Sequence, residues 1–230
     1  MWNGKKKAIT FSFDDGTLQD VRLVAILNKY GLKGTFNICS ALLGKPNTVR
    51  RHGREVDHTK VNPEDVRSVY AGHEVAVHTL THPWLNRMED EEVVREIEED
   101  RVALSELCGY EVSGMAYPFG IYDDRILKLM RESTGIRYSR TIKNTHAFDL
   151  PNKDELLTWH PSVYYIEPEF ESVVEEFLAL DTDEPALLYI WGHSFELDSD
   201  IAPSEFERIC EKLSHREDIF YGTNSEILDK

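Results

Sequence analysis

Ala8-Ile-Thr-Phe-Ser-Phe13 runs directly into Asp14-Asp15-Gly16, and the reading of the whole chain hangs on that junction. The first six residues are a short apolar run rich in strand formers. Asp-Asp-Gly ends it, because these residues favour tight turns over an extended ladder. From Leu18 to Tyr30 the apolar positions recur with helical period and stop at Gly31, a good C-terminal breaker. A strand, a tight turn and a helix make the repeating unit of a parallel sheet. In such sheets functional groups collect at the C-terminal ends of strands.

The same alternation continues outward. Gly34 to Cys39 is expected as a second strand, and Asn62-Pro63-Glu64 as the start of a helix ending near Gly72. Glu74 to Val77 is the third strand. Glu89 to Leu107 is the longest helix, with Val93, Val94, Ile97, Val102, Leu104 and Leu107 on its buried side. Its carboxylates, Glu89 to Glu92, Glu96, Glu98, Glu99 and Asp100, read as a solvated face, since no calcium-loop spacing accompanies them. Strands at Gly114–Tyr117, Ile136–Arg140, Ala186–Trp191 and Ile219–Tyr221 alternate with helices at Asp123–Arg131, Glu169–Leu180 and Pro203–Leu213. The pattern predicts an α/β fold with a mainly parallel sheet covered by helices, in one domain spanning 1–230. Segments 40–60 and 141–168 carry no clear period, and long loops in a compact domain are usually functional.

A net charge of −16 with no basic stripe excludes a nucleic-acid partner. No apolar run is long enough to cross a bilayer. No apolar segment of the length a secretory signal needs separates Met1 from Asp14, so the expectation is a cytoplasmic protein without a secretory signal. Cys39, Cys108 and Cys210 are odd in number and far apart, which fits buried thiols rather than disulfides or a zinc knuckle.

Three polar clusters follow predicted strands. In Asp14-Asp15 adjacent side chains point differently, so one can bind a metal while the other faces a substrate. His78-Thr-Leu-Thr-His82-Pro83 sets two imidazoles four apart across a turn. They can converge on one divalent ion, with a carboxylate completing a three-ligand open site. Ile190-Trp-Gly-His193-Ser194 supplies a histidine able to exchange protons near neutral pH. The other histidines, His52, His58, His73, His146, His160 and His215, read as surface or core residues, with His160 notable for its place in an irregular segment.

Phe11-Ser-Phe-Asp-Asp-Gly16 followed by Gly72-His-Glu-Val-Ala-Val-His78-Thr-Leu-Thr-His82-Pro83 resembles the first two motifs of the NodB-like polysaccharide deacetylases, carbohydrate esterase family four. Ala116-Tyr-Pro-Phe-Gly120 resembles the third motif and Leu188 to His193 the fifth. The resemblance implies a distorted, incomplete (β/α) barrel that hydrolyses N-acetyl groups on amino sugars or oligosaccharides. It implies Asp14 as general base, and Asp15, His78 and His82 as ligands of one divalent transition metal, zinc foremost and cobalt, nickel or manganese as alternatives. It implies oxyanion contacts from the backbone around Phe119, and His193 as the acid for the leaving amine. Tyr117 and Trp159 are candidates to line a sugar groove, their aromatic faces being suited to sugar rings, and either residue type also suits a core.

Two departures stand out. Where the family has an arginine that pairs with the base, this chain has Ala116. Arg140, at the C-terminal end of the next strand, is expected to replace it, with a surface cation as the alternative reading. The fourth motif, an Asp pair before Trp, has only Asp154 ahead of Trp159. Competing readings are an allantoinase-like amidohydrolase acting on a small cyclic or linear amide, and an inactive barrel that binds carbohydrate.

Overall fold

The computed structural model describes residues 2–228; Met1 and the last two residues of the 1–230 span lie outside it. In chain order the main elements are β1 (Lys7–Asp14), α1 (Asp20–Lys29), β2 (Gly34–Ile38), β3 (Thr48–Arg51), β4 (Arg54–Asp57), α2 (Val66–Val69), β5 (Glu74–Val77), α3 (Asp90–Cys108) and β6 (Gly114–Ala116). They continue as α4 (Asp124–Ser133), β7 (Tyr138–Arg140), β8 (Val163–Tyr164), α5 (Phe170–Ala179), β9 (Ala186–His193), α6 (Pro203–Leu213), β10 (Ile219–Tyr221) and α7 (Asn224–Leu228). The main sheet is parallel throughout, in the order β7-β6-β5-β2-β1-β9-β8, with β10 added beside the start of β1.

Every residue of β1 is buried, as a central strand covered on both faces requires. Its side chains divide with period two. Ile9, Phe11 and Phe13 enter the apolar layer beneath the helices, where Phe11 and Phe13 meet Phe206 of α6 edge-on. Thr10, Ser12 and Asp14 point into the curl of the sheet instead, bonded to Asn224, Asn37 and Arg140. β9 lies in register with β1, which sets His193 directly beside Asp14.

The curl closes on itself through residues 159–165. Trp159 bridges to Arg140 at the end of β7, while Val163 and Tyr164 pair with β9. A single bridge stands where a regular barrel would carry a full ladder, which is why the barrel is distorted and incomplete.

Several expectations need correcting. Segment 40–60 contains a hairpin, β3–β4, whose turn runs through Arg51, His52, Gly53 and Arg54. The helix expected from Asn62 to Gly72 is a 3-10 turn followed by the four-residue α2. On α3, Val102 faces solvent, whereas Glu96 and Asp100 are buried. The acidic face is therefore not solvated along its whole length.

Candidate active site

The C-terminal ends of β1, β5 and β9 converge on a cavity of about 550 Å³. Asp15, His78 and His82 each offer one ligand atom, and these atoms lie within 4.8 Å of one another. His78 Nδ1 stands 2.8 Å from the Ala116 carbonyl, which can only accept, so Nδ1 carries the proton and Nε2 keeps its lone pair. Burial lowers the pKa of both histidines, His82 to about 4, so both rings are neutral at neutral pH, the form a metal ligand requires. Nitrogen, nitrogen and carboxylate with room beyond is a donor set that fits a borderline divalent metal.

The backbone is strained here. Asp15, Thr79, His82 and Phe119 all have positive φ, between 56° and 81°, a left-handed region that non-glycine residues occupy only when their surroundings hold them there. Gly16 completes the first turn at φ +63°, and a Cβ on it would meet Ile38 at 2.7 Å.

Two buried carboxylates of α3 hold the histidine loop. Asp100 accepts from the backbone N–H of His78, at 3.2 Å, and of Ser40. Glu96, one turn earlier, accepts from both the N–H and the hydroxyl of Thr81. The sequence alone reads these two residues as solvated; the loop donors they accept from are what bury them.

Asp14 is buried and ion-paired to Arg140, whose Nη2 meets both carboxylate oxygens. The guanidinium is fully buried in the curl. Its Nε donates to Ser12, its Nη1 to the Thr141 carbonyl, and its plane lies 4.7 Å over the Trp191 ring. Asn37 also donates to Asp14, at 2.9 Å. Burial pushes the Asp14 pKa up, but Arg140, with His78 and His193, more than offsets this and holds it below the ordinary value. Arg137, three residues earlier, points out beside Glu111.

His193 lines the same cavity, its ring against Trp191 and Phe195. Glu196, one 3-10 turn later, accepts from the His193 N–H and sits 3.1 Å from Nδ1. Burial pushes the Glu196 carboxyl up to about 9, and Tyr164 and Arg51 close around it. Asp154, the fourth-motif candidate, is exposed on another face. Glu196 was missed by the sequence reading, although His193 and a Glu three residues later form the reciprocal cap that could have flagged it.

Phe119 lines the cavity with its exposed ring stacked on Trp84. Tyr117 borders it too, but its hydroxyl is buried against the Leu157 carbonyl and Met130. Trp159 is not among the lining residues; its ring packs between Tyr138 and Tyr189 in the inner core. His160 bonds Thr141 outside the cavity. His58, by contrast, belongs to the site, its Nε2 3.1 Å from Asp15.

The polysaccharide deacetylase family model matches residues 2–139. A Listeria monocytogenes peptidoglycan-N-acetylglucosamine deacetylase is 26% identical over 123 residues, 52% of this chain and only 23% of that protein's length. A Mycobacterium smegmatis structure assigned to the polysaccharide deacetylases superposes with a TM-score of 0.68 at 17% identity, covering 97% of this chain and 89% of its own. The esterase-family-four domain of a xylanase from the hindgut metagenome of Trinervitermes trinervoides gives 0.62 at 19% identity, covering 98% and 91%. These two likenesses share the curled parallel α/β fold. With the family model matched over more than half the chain, the chain belongs to the polysaccharide deacetylase family.

Proposed function

We propose that this chain is a metal-dependent deacetylase that hydrolyses the N-acetyl group of an amino sugar or oligosaccharide, releasing acetate. The observation that carries this reading is the convergence of Asp15, His78 and His82 on one cavity edged by the Asp14–Arg140 pair and His193. Asp15, His78 and His82 would hold one divalent ion, zinc foremost. Bound there, it would polarise the amide carbonyl and make water a nucleophile near neutral pH.

The chain's own groups complete the chemistry. Asp14, kept ionised by Arg140, accepts the proton of the attacking water. His193, beside Asp14 in register, delivers a proton to the departing nitrogen. Glu196 sets the histidine's proton. A proton on the carboxyl donates to Nδ1 and leaves the ring's own hydrogen on Nε2; as that hydrogen passes to the departing nitrogen, the carboxyl proton moves to Nδ1 and the ring stays neutral.

A second reading, a small cyclic or linear amide as substrate, draws on one feature. Asn47, Val49, His58 and Lys60, from the segment carrying β3–β4, wall one side of the cavity. The test is metal analysis of purified protein, then acetate and amine release on acetylated sugars and small amides with the metal restored. Acetate release from sugars alone supports the proposal. Turnover confined to small amides replaces it, and no turnover with any metal overturns both.

A further inference from the structure

Segment 43–61 leaves the barrel, forms the β3–β4 hairpin and returns antiparallel to residues 16–18, with Lys60 opposite Thr17. On this extended return His58 and Lys60 are two apart and therefore share a side. That side faces Asp15. Asn47 Nδ2, which can only donate, meets His58 Nδ1 at 3.2 Å, so His58 Nε2 carries the hydrogen and donates to Asp15 Oδ2.

Lys60 is different. Its side chain is 4% exposed, and Nζ lies 3.6 Å from Asp15 Oδ1, beyond hydrogen-bond reach. Among the described residues no group accepts a hydrogen bond from this ammonium, yet it lines the cavity with Asp14, Asp15 and His193. A buried charge with three unused donors is costly unless something accepts from it.

Charge balance points to the same occupant. Arg140 offsets Asp14, and Lys60 offsets Asp15. A divalent ion beside neutral histidines would leave the cavity strongly cationic, within a chain of net charge −16. A second cation has no place there, and a neutral group would leave the excess uncompensated.

We propose that Lys60 is a substrate-recognition residue whose ammonium takes a carboxylate carried by the substrate, making the preferred substrate an acidic N-acylated sugar or amide. This deepens the deacetylase reading and rests on the same cavity. The matched probes are N-acetylglucosamine and N-acetylmuramic acid, which is the same sugar with a lactyl carboxylate.

Titration calorimetry on the zinc-loaded protein should show the acidic sugar binding at least about tenfold more tightly, as a charge-assisted hydrogen bond allows. Lys60→Met should reduce the ratio to within about twofold, and Lys60→Arg should retain most of it. Zinc affinity, measured alongside, should be no weaker in Lys60→Met, since a cation has been removed beside the ligand Asp15. Equal binding of the two sugars by the unaltered protein overturns the proposal, whether or not the variants fold. So does a preference that survives Lys60→Met. A preference for the acidic sugar without any amide turnover would sustain this inference while the deacetylase reading falls; acetate release without the preference would do the reverse.

Discussion

Arg140 reaches Asp14 from the far side of the barrel. The two residues lie 126 apart in sequence and on strands separated by three others, yet the guanidinium meets both carboxylate oxygens. Both side chains point into the curl and are buried there, Arg140 completely, so removing one strands the charge of the other. Arg140→Met should therefore cost about 3–5 kcal/mol of stability at neutral pH, the price of stranding a buried charge. The sign with pH follows from the lowered Asp14 pKa. The pair's contribution is present above the ordinary carboxylate value and is lost as pH falls through the lower folded-state value. Without Arg140 the Asp14 pKa should rise, moving the acid limb of kcat/KM up by about one to three units. Rate profiles of the two proteins check this, and an unmoved acid limb would remove Asp14 as the base.

Asp14 and Asp15 are neighbours with different surroundings. Asp14 is committed to Arg140 and Asn37, Asp15 to the two histidines and His58. Asp14→Asn should keep the metal and lose most turnover, whereas Asp15→Asn should lose metal as well. Thermal denaturation separates the two without any substrate. Metal at a hundred times its Kd should stabilise the unaltered protein and Asp14→Asn by about 2.7 kcal/mol. Asp15→Asn should gain little. Equal metal loss in both variants would show the pair assigned the wrong way round.

His193→Ala should slow turnover roughly hundredfold or more, the usual effect of losing a general acid, with metal content unchanged. Glu196→Ala should reproduce part of that loss and change the pH profile, because Glu196 faces the ring nitrogen that fixes where the proton resides. An unchanged rate for His193→Ala on an amide substrate would leave His193 as no more than part of the cavity wall.

Much of this arrangement could be read in the chain because strand period and turn chemistry act locally. The Phe13-Asp14-Asp15-Gly16 junction announces both a strand end and a strained turn. Arg140 could be singled out because its strand ends at the rim where the other groups collect. The β3–β4 hairpin could not, since of its eight paired residues only Val56 is buried, leaving no alternation to detect. Trp159 was ambiguous from the start, because an aromatic ring suits a sugar and a core equally. Glu96 and Asp100 were hidden for a third reason. A carboxylate on an acidic helix looks solvated until the loop that needs its oxygens is in place.

Those two carboxylates give the last prediction. The His78–His82 loop contains two left-handed residues, Thr79 and His82, so its shape is not one the chain would choose unaided. Glu96 holds the Thr81 end by two hydrogen bonds and Asp100 holds the His78 end by one. Glu96→Ala removes two hydrogen bonds from Thr81, each worth about 0.5–1.5 kcal/mol net, and should cost about 1–3 kcal/mol. The greater effect should fall on the metal. With one end of the loop released, His78 and His82 must be ordered at the moment of binding, and metal affinity should drop about 10–100-fold, as for residues that orient ligands from behind. Glu99, exposed on the same helix, is the control: Glu99→Ala should change neither quantity. Metal titrations of the two variants decide it. If Glu96→Ala binds the metal as tightly as Glu99→Ala, the loop keeps its shape without α3, and the buried carboxylates serve only the packing of the helix.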